Sequence, residues 1–125
     1  MLQLHHVQLA IPQGSEEDCR KFYCLILGWT EKPKPVALAA RGGLWLTNGN
    51  AELHLGVEED FRPARKAHPA FLITEIEKVA ADLAKHDFNV IWDESIPAYK
   101  RFFVFDVVGN RLEFMQLAGW SEAGF

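Results

Sequence analysis

The sequence lacks the features that mark several large protein classes. It has two cysteines, Cys19 and Cys24, five positions apart on different faces of a predicted helix. That excludes a disulfide framework and reads as ordinary core or boundary thiols of a reduced, cytoplasmic chain. No apolar run approaches the roughly 20 residues needed to span a bilayer, so no membrane partner is expected. The opening Met1-Leu2-Gln3-Leu4-His5-His6 has neither a basic stretch nor a long apolar one and does not read as a secretory leader. With 13 Lys and Arg against 17 Asp and Glu the formal charge is -4, which gives no basic footprint for nucleic acid. HExxH, CxxC, a Walker loop and a Ser/His/Asp nucleophile order are all missing.

What is present is enough apolar residue, 49% of 125, to fill one domain. Leu4 to Ile11 reads as a strand with Val7, Leu9 and Ile11 on one face and His6, Gln8 and Ala10 on the other. Pro12-Gln13-Gly14 breaks it. Ser15, with Asp18 three residues on, resembles a capping box for a helix whose apolar stripe is Cys19, Phe22, Tyr23, Ile26 and Leu27, with Gly28 as its stop. Thr30 to Val36 contains two prolines and is expected as an edge strand or irregular arm. Leu44 to Thr47 and Ala51 to Val57 are strands joined by the turn Asn48-Gly49-Asn50.

After the polar segment Glu58 to Lys66 the pattern begins again. His68 to Ile73 is a strand. Thr74 and Glu77 form a second capping box, before the apolar spacing Ile76, Val79, Ala80, Leu83 and Ala84. Asn89 to Asp93, Arg101 to Phe105 and Arg111 to Leu117 supply three more strands, the last two joined by Asp106-Val107-Val108-Gly109-Asn110. Strand, helix and three strands thus occur twice, with a period of about sixty residues. The expected fold is α+β: two β-α-β-β-β modules whose mixed sheets curl into a partly open barrel with the helices outside. The expected boundaries are about 1–58 and 67–118, with a linker over 59–66 and a tail over 119–125.

One face of each sheet should pack on its helix, which leaves the other for chemistry. A histidine opens that free face in the first strand of each module: His6 and His68. In the last strands Glu52 and His54 share it in module one, and Glu113 in module two. Three imidazoles and a carboxylate suit a divalent metal such as Zn, Ni, Co, Fe or Mn. His54 is preferred to Glu52 because it lies mid-strand between Leu53 and Leu55, where a cleft is deepest; Glu52, beside the turn, is assigned to the substrate pocket. His5 and His86 are read as ordinary surface histidines. Gln8, Arg101 and Phe103 complete the expected pocket, although which face Arg101, Phe103 and Phe105 occupy is open, because both sides of that strand are aromatic. Arg111 is expected to pair with an acid. Trp45, Trp92 and Trp120 either line an apolar pocket or, as the more ordinary expectation, pack in the core or at an edge.

These segments resemble the vicinal oxygen chelate superfamily, which includes glyoxalase I, extradiol dioxygenases, fosfomycin- and bleomycin-resistance proteins and methylmalonyl-CoA epimerase. The likeness is carried by His6-Val7-Gln8-Leu9-Ala10-Ile11, by Phe22-Tyr23 through Leu27-Gly28-Trp29, by His68-Pro69-Ala70-Phe71 and by Gly109-Asn110-Arg111-Leu112-Glu113-Phe114. Val107 departs from the proline usual at its position, which bears on the hairpin and not on the metal. The resemblance implies metal ligation by His6, His68 and Glu113, with the fourth position at Glu52 or His54. It also implies paired modules, commonly completed in a homodimer, and a small-molecule substrate. The implied activity is a glyoxalase-like metal-dependent lyase or isomerase, with Glu113 or Glu52 available to move a proton. The alternatives are an extradiol-type dioxygenase and a metal-free drug-binding protein.

Overall fold

The computed structural model describes residues 1–119, so Trp120 lies outside the described residues. The chain forms two compact units, one spanning Met1–Ala64 and one beginning at Arg65. Each has a mixed four-stranded sheet. No described helix is long and apolar enough to cross a membrane.

In the first unit, β1 (Val7–Ile11), β2 (Thr30–Lys32), β3 (Leu44–Asn48) and β4 (Ala51–Val57) lie in the order β1-β4-β3-β2. The first strand pairs in parallel with the last, and β3 with β4 is a hairpin in which Asn48 faces Ala51 across Gly49 and Asn50. Leu9, Ile11, Leu44, Leu46, Leu53 and Leu55 are buried, as the alternation requires. Gly43 turns the chain into β3 at φ 83°; a Cβ there would come within 2.1 Å of the Leu55 carbonyl oxygen, so only glycine fits.

The first helix differs from expectation in its winding. α1 (Glu16–Cys19) continues as the wider helix Arg20–Ile26. There Leu27 N–H donates to the Phe22 carbonyl and Trp29 N–H to that of Tyr23, at 3.1 and 2.9 Å. Phe22 and Tyr23 are buried as the stripe requires, their rings edge-on at 4.8 Å, but Ile26 and Leu27 at its far end are only half-buried, and Trp29 is buried beyond them. Ser15 does not cap the helix; its Oγ donates to the Pro12 carbonyl at 2.7 Å. The prolines end β2 early, and the turn α2 (Val36–Ala39) follows Pro35, which the sequence pattern did not suggest.

In the second unit, β5 (Ala70–Leu72), β6 (Ile91–Asp93), β7 (Tyr99–Phe105) and β8 (Arg111–Leu117) lie in the order β5-β8-β7-β6, again with first and last strands parallel. α3 (Ile76–Lys85) packs on β8 and buries Ile76, Ala80 and Leu83. The expected Thr74 cap does not form. Gln116 of β8 performs that task, its Oε1 accepting the Ile76 N–H at 2.9 Å, so the helix start is fixed by a tertiary contact and not by a local motif. Phe102 and Val104 are fully buried on the side of Leu112 and Phe114, which resolves the ambiguous strand: Arg101, Phe103 and Phe105 occupy the opposite face. The Asp106–Asn110 hairpin closes without the family's proline, because Asp106 Oδ1 accepts both Val108 N–H and Asn110 N–H.

Candidate metal and substrate site

The strand registers make the two units comparable residue by residue. Gln8 of β1 faces His54 of β4, and Ala70 of β5 faces Glu113 of β8. Across the hairpins Trp45 faces His54 and Phe103 faces Glu113. Each donor also sits in a run of three buried residues, Leu53-His54-Leu55 and Leu112-Glu113-Phe114. His54 is therefore the counterpart of Glu113, and His6 and His68 each stand two residues before the facing position in the first strand. Glu52 corresponds to Arg111 instead.

In the second unit His68 Nδ1–H donates to the Lys66 carbonyl at 2.9 Å, which leaves Nε2 directed at Glu113 Oε1, also at 2.9 Å. Two cis ligands of a small divalent ion stand about 3 Å apart, given metal–ligand bonds near 2.1 Å. A carbonyl fixing the far nitrogen is a common support for a ligating imidazole. Arg101 Nη1 donates to Glu113 Oε2 at 2.6 Å, and its Nη2 to Asp93 Oδ1 and Ser95 Oγ at 3.1 Å. The bond to Glu113 is the main reason the guanidinium pKa is raised. Phe103 floors the group, with Arg111 stacked at 4.1 Å and His68 edge-on at 5.5 Å. Arg111 was expected against an acid; it lies on this ring instead.

In the first unit the His54 ring is sandwiched between His6 (4.0 Å, 17°) and Trp45 (4.3 Å, 8°). Its Nε2 is buried without a hydrogen-bond partner, and Glu52 Oε1 stands 3.8 Å away. Burial, seconded by His6, pushes the His54 pKa below its ordinary value, which favours the neutral form that binds metals. An orphaned buried imidazole nitrogen is a donor in want of an acceptor or a cation, so these residues fit a metal. Stacked rings aim their lone pairs nearly parallel. Sharing an ion would require the exposed His6, which precedes β1, to turn about its side-chain torsions.

Glu52 has other company. Lys32 Nζ is 2.6 Å from Oε1, and this bond holds the carboxyl below its usual range; His5 Nδ1 is 3.5 Å from Oε2. His5 Nδ1 also meets His6 Nδ1 at 2.8 Å, and His5, His6 and Glu52 present donor atoms within 4.8 Å of one another. His5, read from the sequence as an ordinary surface histidine, is exposed and precedes β1, where the alternation does not extend. Gln8 lies over Gly56, where a Cβ would stand 3.0 Å from its amide carbon, and lines a cavity of about 260 Å³ with Trp45 and His54. Trp92 and Arg101 line a separate cavity of about 390 Å³ in the second unit.

A glyoxalase family protein of known structure from Bacillus anthracis is 45% identical over 94% of this chain and 96% of its own, with a TM-score of 0.90. The chain belongs to the glyoxalase family. This agrees with the motifs of the vicinal oxygen chelate superfamily. Two more distant structures share the fold: a lactoylglutathione lyase from Agrobacterium tumefaciens (14% identity, 96% and 100% coverage, TM-score 0.68) and an antibiotic binding protein from a Streptomyces species (17%, 94% and 99%, 0.71). No family model matches the chain, and no curated protein matches it.

Proposed function

We propose that this glyoxalase-family protein is a metal-dependent lyase or isomerase acting on a small oxygen-rich substrate, with His6, His54, His68 and Glu113 as its ligands for a divalent metal. The observation that supports this is the register. In each unit a histidine just before the first strand, two residues ahead of the position that faces the last strand's buried donor, lies against that donor: His6 with His54 and His68 with Glu113. When bound, such an ion supplies Lewis acidity to two neighbouring oxygens of the substrate. The protein's own contribution is positional. Arg101 holds Oε2 of Glu113, so that Oε1, beside His68 Nε2, is the oxygen that would bind the ion and, when released from it, accept or return a proton. Gln8 supplies an amide for a substrate oxygen, and Phe103 excludes water from one side. Two copies of the chain associate as a homodimer in this reading, covering the exposed edge residues Leu72 of β5 and Trp92 of β6.

The test is elemental analysis of untagged protein, followed by assays with methylglyoxal–thiol adducts and with catechols. One equivalent of Zn, Ni, Co, Fe or Mn per chain is expected, with adduct turnover, and His68→Ala should lose the metal while keeping the fold. Catechol cleavage would move the reading to a dioxygenase. Failure to take up any of these metals at micromolar concentration would refute it and leave metal-free sequestration.

A further inference from the structure

We propose that the cavity of the first unit is an oxyanion subsite in which Lys34 and Arg41 bind a carboxylate or phosphoryl group of the substrate. This rests on the reading of His54 as part of the reactive centre and adds the substrate's charge. The cavity, about 260 Å³, is lined by Gln8, Lys34, Arg41, Trp45, His54 and Gly56 among others. Its volume suits a small acid.

Both cations come from the segment linking β2 to β3, which α2 folds back on itself. Lys34 Nζ donates to the Gly42 carbonyl, which ties the two ends of that segment together and leaves two ammonium hydrogens for a ligand. Arg41 is exposed and makes no ion pair among the described residues. Two carboxylates stand nearby among the described residues. Glu16 Oε2 accepts the Gly43 N–H at 2.9 Å, which turns it toward the turn, and it feels the charge of Lys34. Glu52 Oε1 is 3.8 Å from His54 Nε2 but is paired with Lys32 at 2.6 Å. With Glu52 matched by Lys32, Lys34 and Arg41 still exceed Glu16 by one charge.

The chain as a whole is acidic, at -4, so a locally cationic cavity runs against the average field and concentrates anions where it opens. The other lining groups suit an organic acid: Trp45 offers a flat apolar wall and Gln8 both a donor and an acceptor. Gly56 keeps the space over Gln8 clear. A substrate anchored here by its acid group would hold its remaining oxygens toward His54.

The test is titration of the full-length ¹⁵N-labelled protein, with and without zinc, using inorganic phosphate, pyruvate and neutral 1,2-propanediol. The Trp45 indole, identified with Trp45→Phe, and the Gly56 amide report occupancy. Saturable shifts are expected with phosphate or pyruvate, and which of the two binds tighter distinguishes a phosphoryl from a carboxylate ligand. Arg41→Ser should weaken the tighter oxyanion about tenfold, close to the value of one charged hydrogen bond. Lys34→Gln with Arg41→Ser should abolish saturation, and Arg41→Lys should retain most of it. Equal shifts with propanediol, or unchanged oxyanion affinity in a folded double variant, would overturn the proposal. Zinc uptake is measured on the same samples. Normal uptake without an oxyanion response sinks the subsite alone; an oxyanion response without uptake sinks the metal reading alone.

Discussion

Replacing Arg101 by Leu isolates the interaction that fixes Glu113. The two side chains are 10% and 7% exposed and meet at 2.6 Å, so Glu113 is buried and Arg101 largely shielded. Removing the guanidinium leaves a carboxylate in the interior with His68 as its remaining partner, and the loss of one member of a buried pair costs about 3–5 kcal/mol. Asp93 and Ser95 lose a donor as well, but Asp93 is a third exposed and water takes over there. Glu113→Leu alone should cost less, because Arg101 keeps Asp93 and Ser95. The double variant should recover most of the loss, since it removes both charges and Leu packs beside Phe103. Urea unfolding of the four proteins without metal gives the cycle. Losses in the double variant equal to the sum of the singles would show that the two residues do not interact, and the account of how Glu113 is positioned would fall.

Phe22→Ala should destabilise the protein by about 3–5 kcal/mol and Leu83→Ala by about 2–5 kcal/mol, because both are buried and each truncation opens a cavity. Metal affinity of the folded variants, by calorimetry, should stay unchanged; its loss in Phe22→Ala would mean that the sheet faces were assigned the wrong way round. Glu16 is held below its ordinary carboxyl pKa chiefly by the Gly43 N–H. Around pH 4 the unfolded chain therefore binds more protons at this position than the folded one, so stability present above the unfolded value of 4.5 falls as pH drops through the lowered value. Urea midpoints against pH should show a smaller acid loss in Glu16→Gln than in wild type.

Most of the fold was legible because the sheet alternation is clean. The limits of β4 and β8 and the apolar stripe of α3 follow directly from residue patterns, and the repeat of modules gives the strand order its symmetry. What was not legible depends on distant partners. No local motif reveals that Gln116 caps α3, and nothing in the stripe of the first helix announces the wider winding, in which Ile26 and Leu27 are only half-buried. Likewise His54 and Glu52 share a face, so parity cannot choose between them as the counterpart of Glu113; pairing of β1 with β4 can. The link from Arg101 to Glu113 spans two strands and was not legible, because the alternation left the face of Arg101 open.

The parallel pairing of first and last strands in each unit has a kinetic side. His68 and Glu113 are 45 residues apart, and nothing shorter than the whole unit joins them. Hairpins form in microseconds from neighbours in sequence, whereas a pairing of high contact order waits for the intervening chain to collapse. β3 with β4 and β7 with β8 can therefore zip early, and β1 and β5 dock last. Because His6 and His68 precede those late strands, the donor pairs come into being only in the final closing step of each unit. On the proposed metal reading, an ion arriving during synthesis would find scattered histidines and not a site. The order of events would keep loading and folding separate, and a chain that had trapped metal would, by the same token, have finished folding.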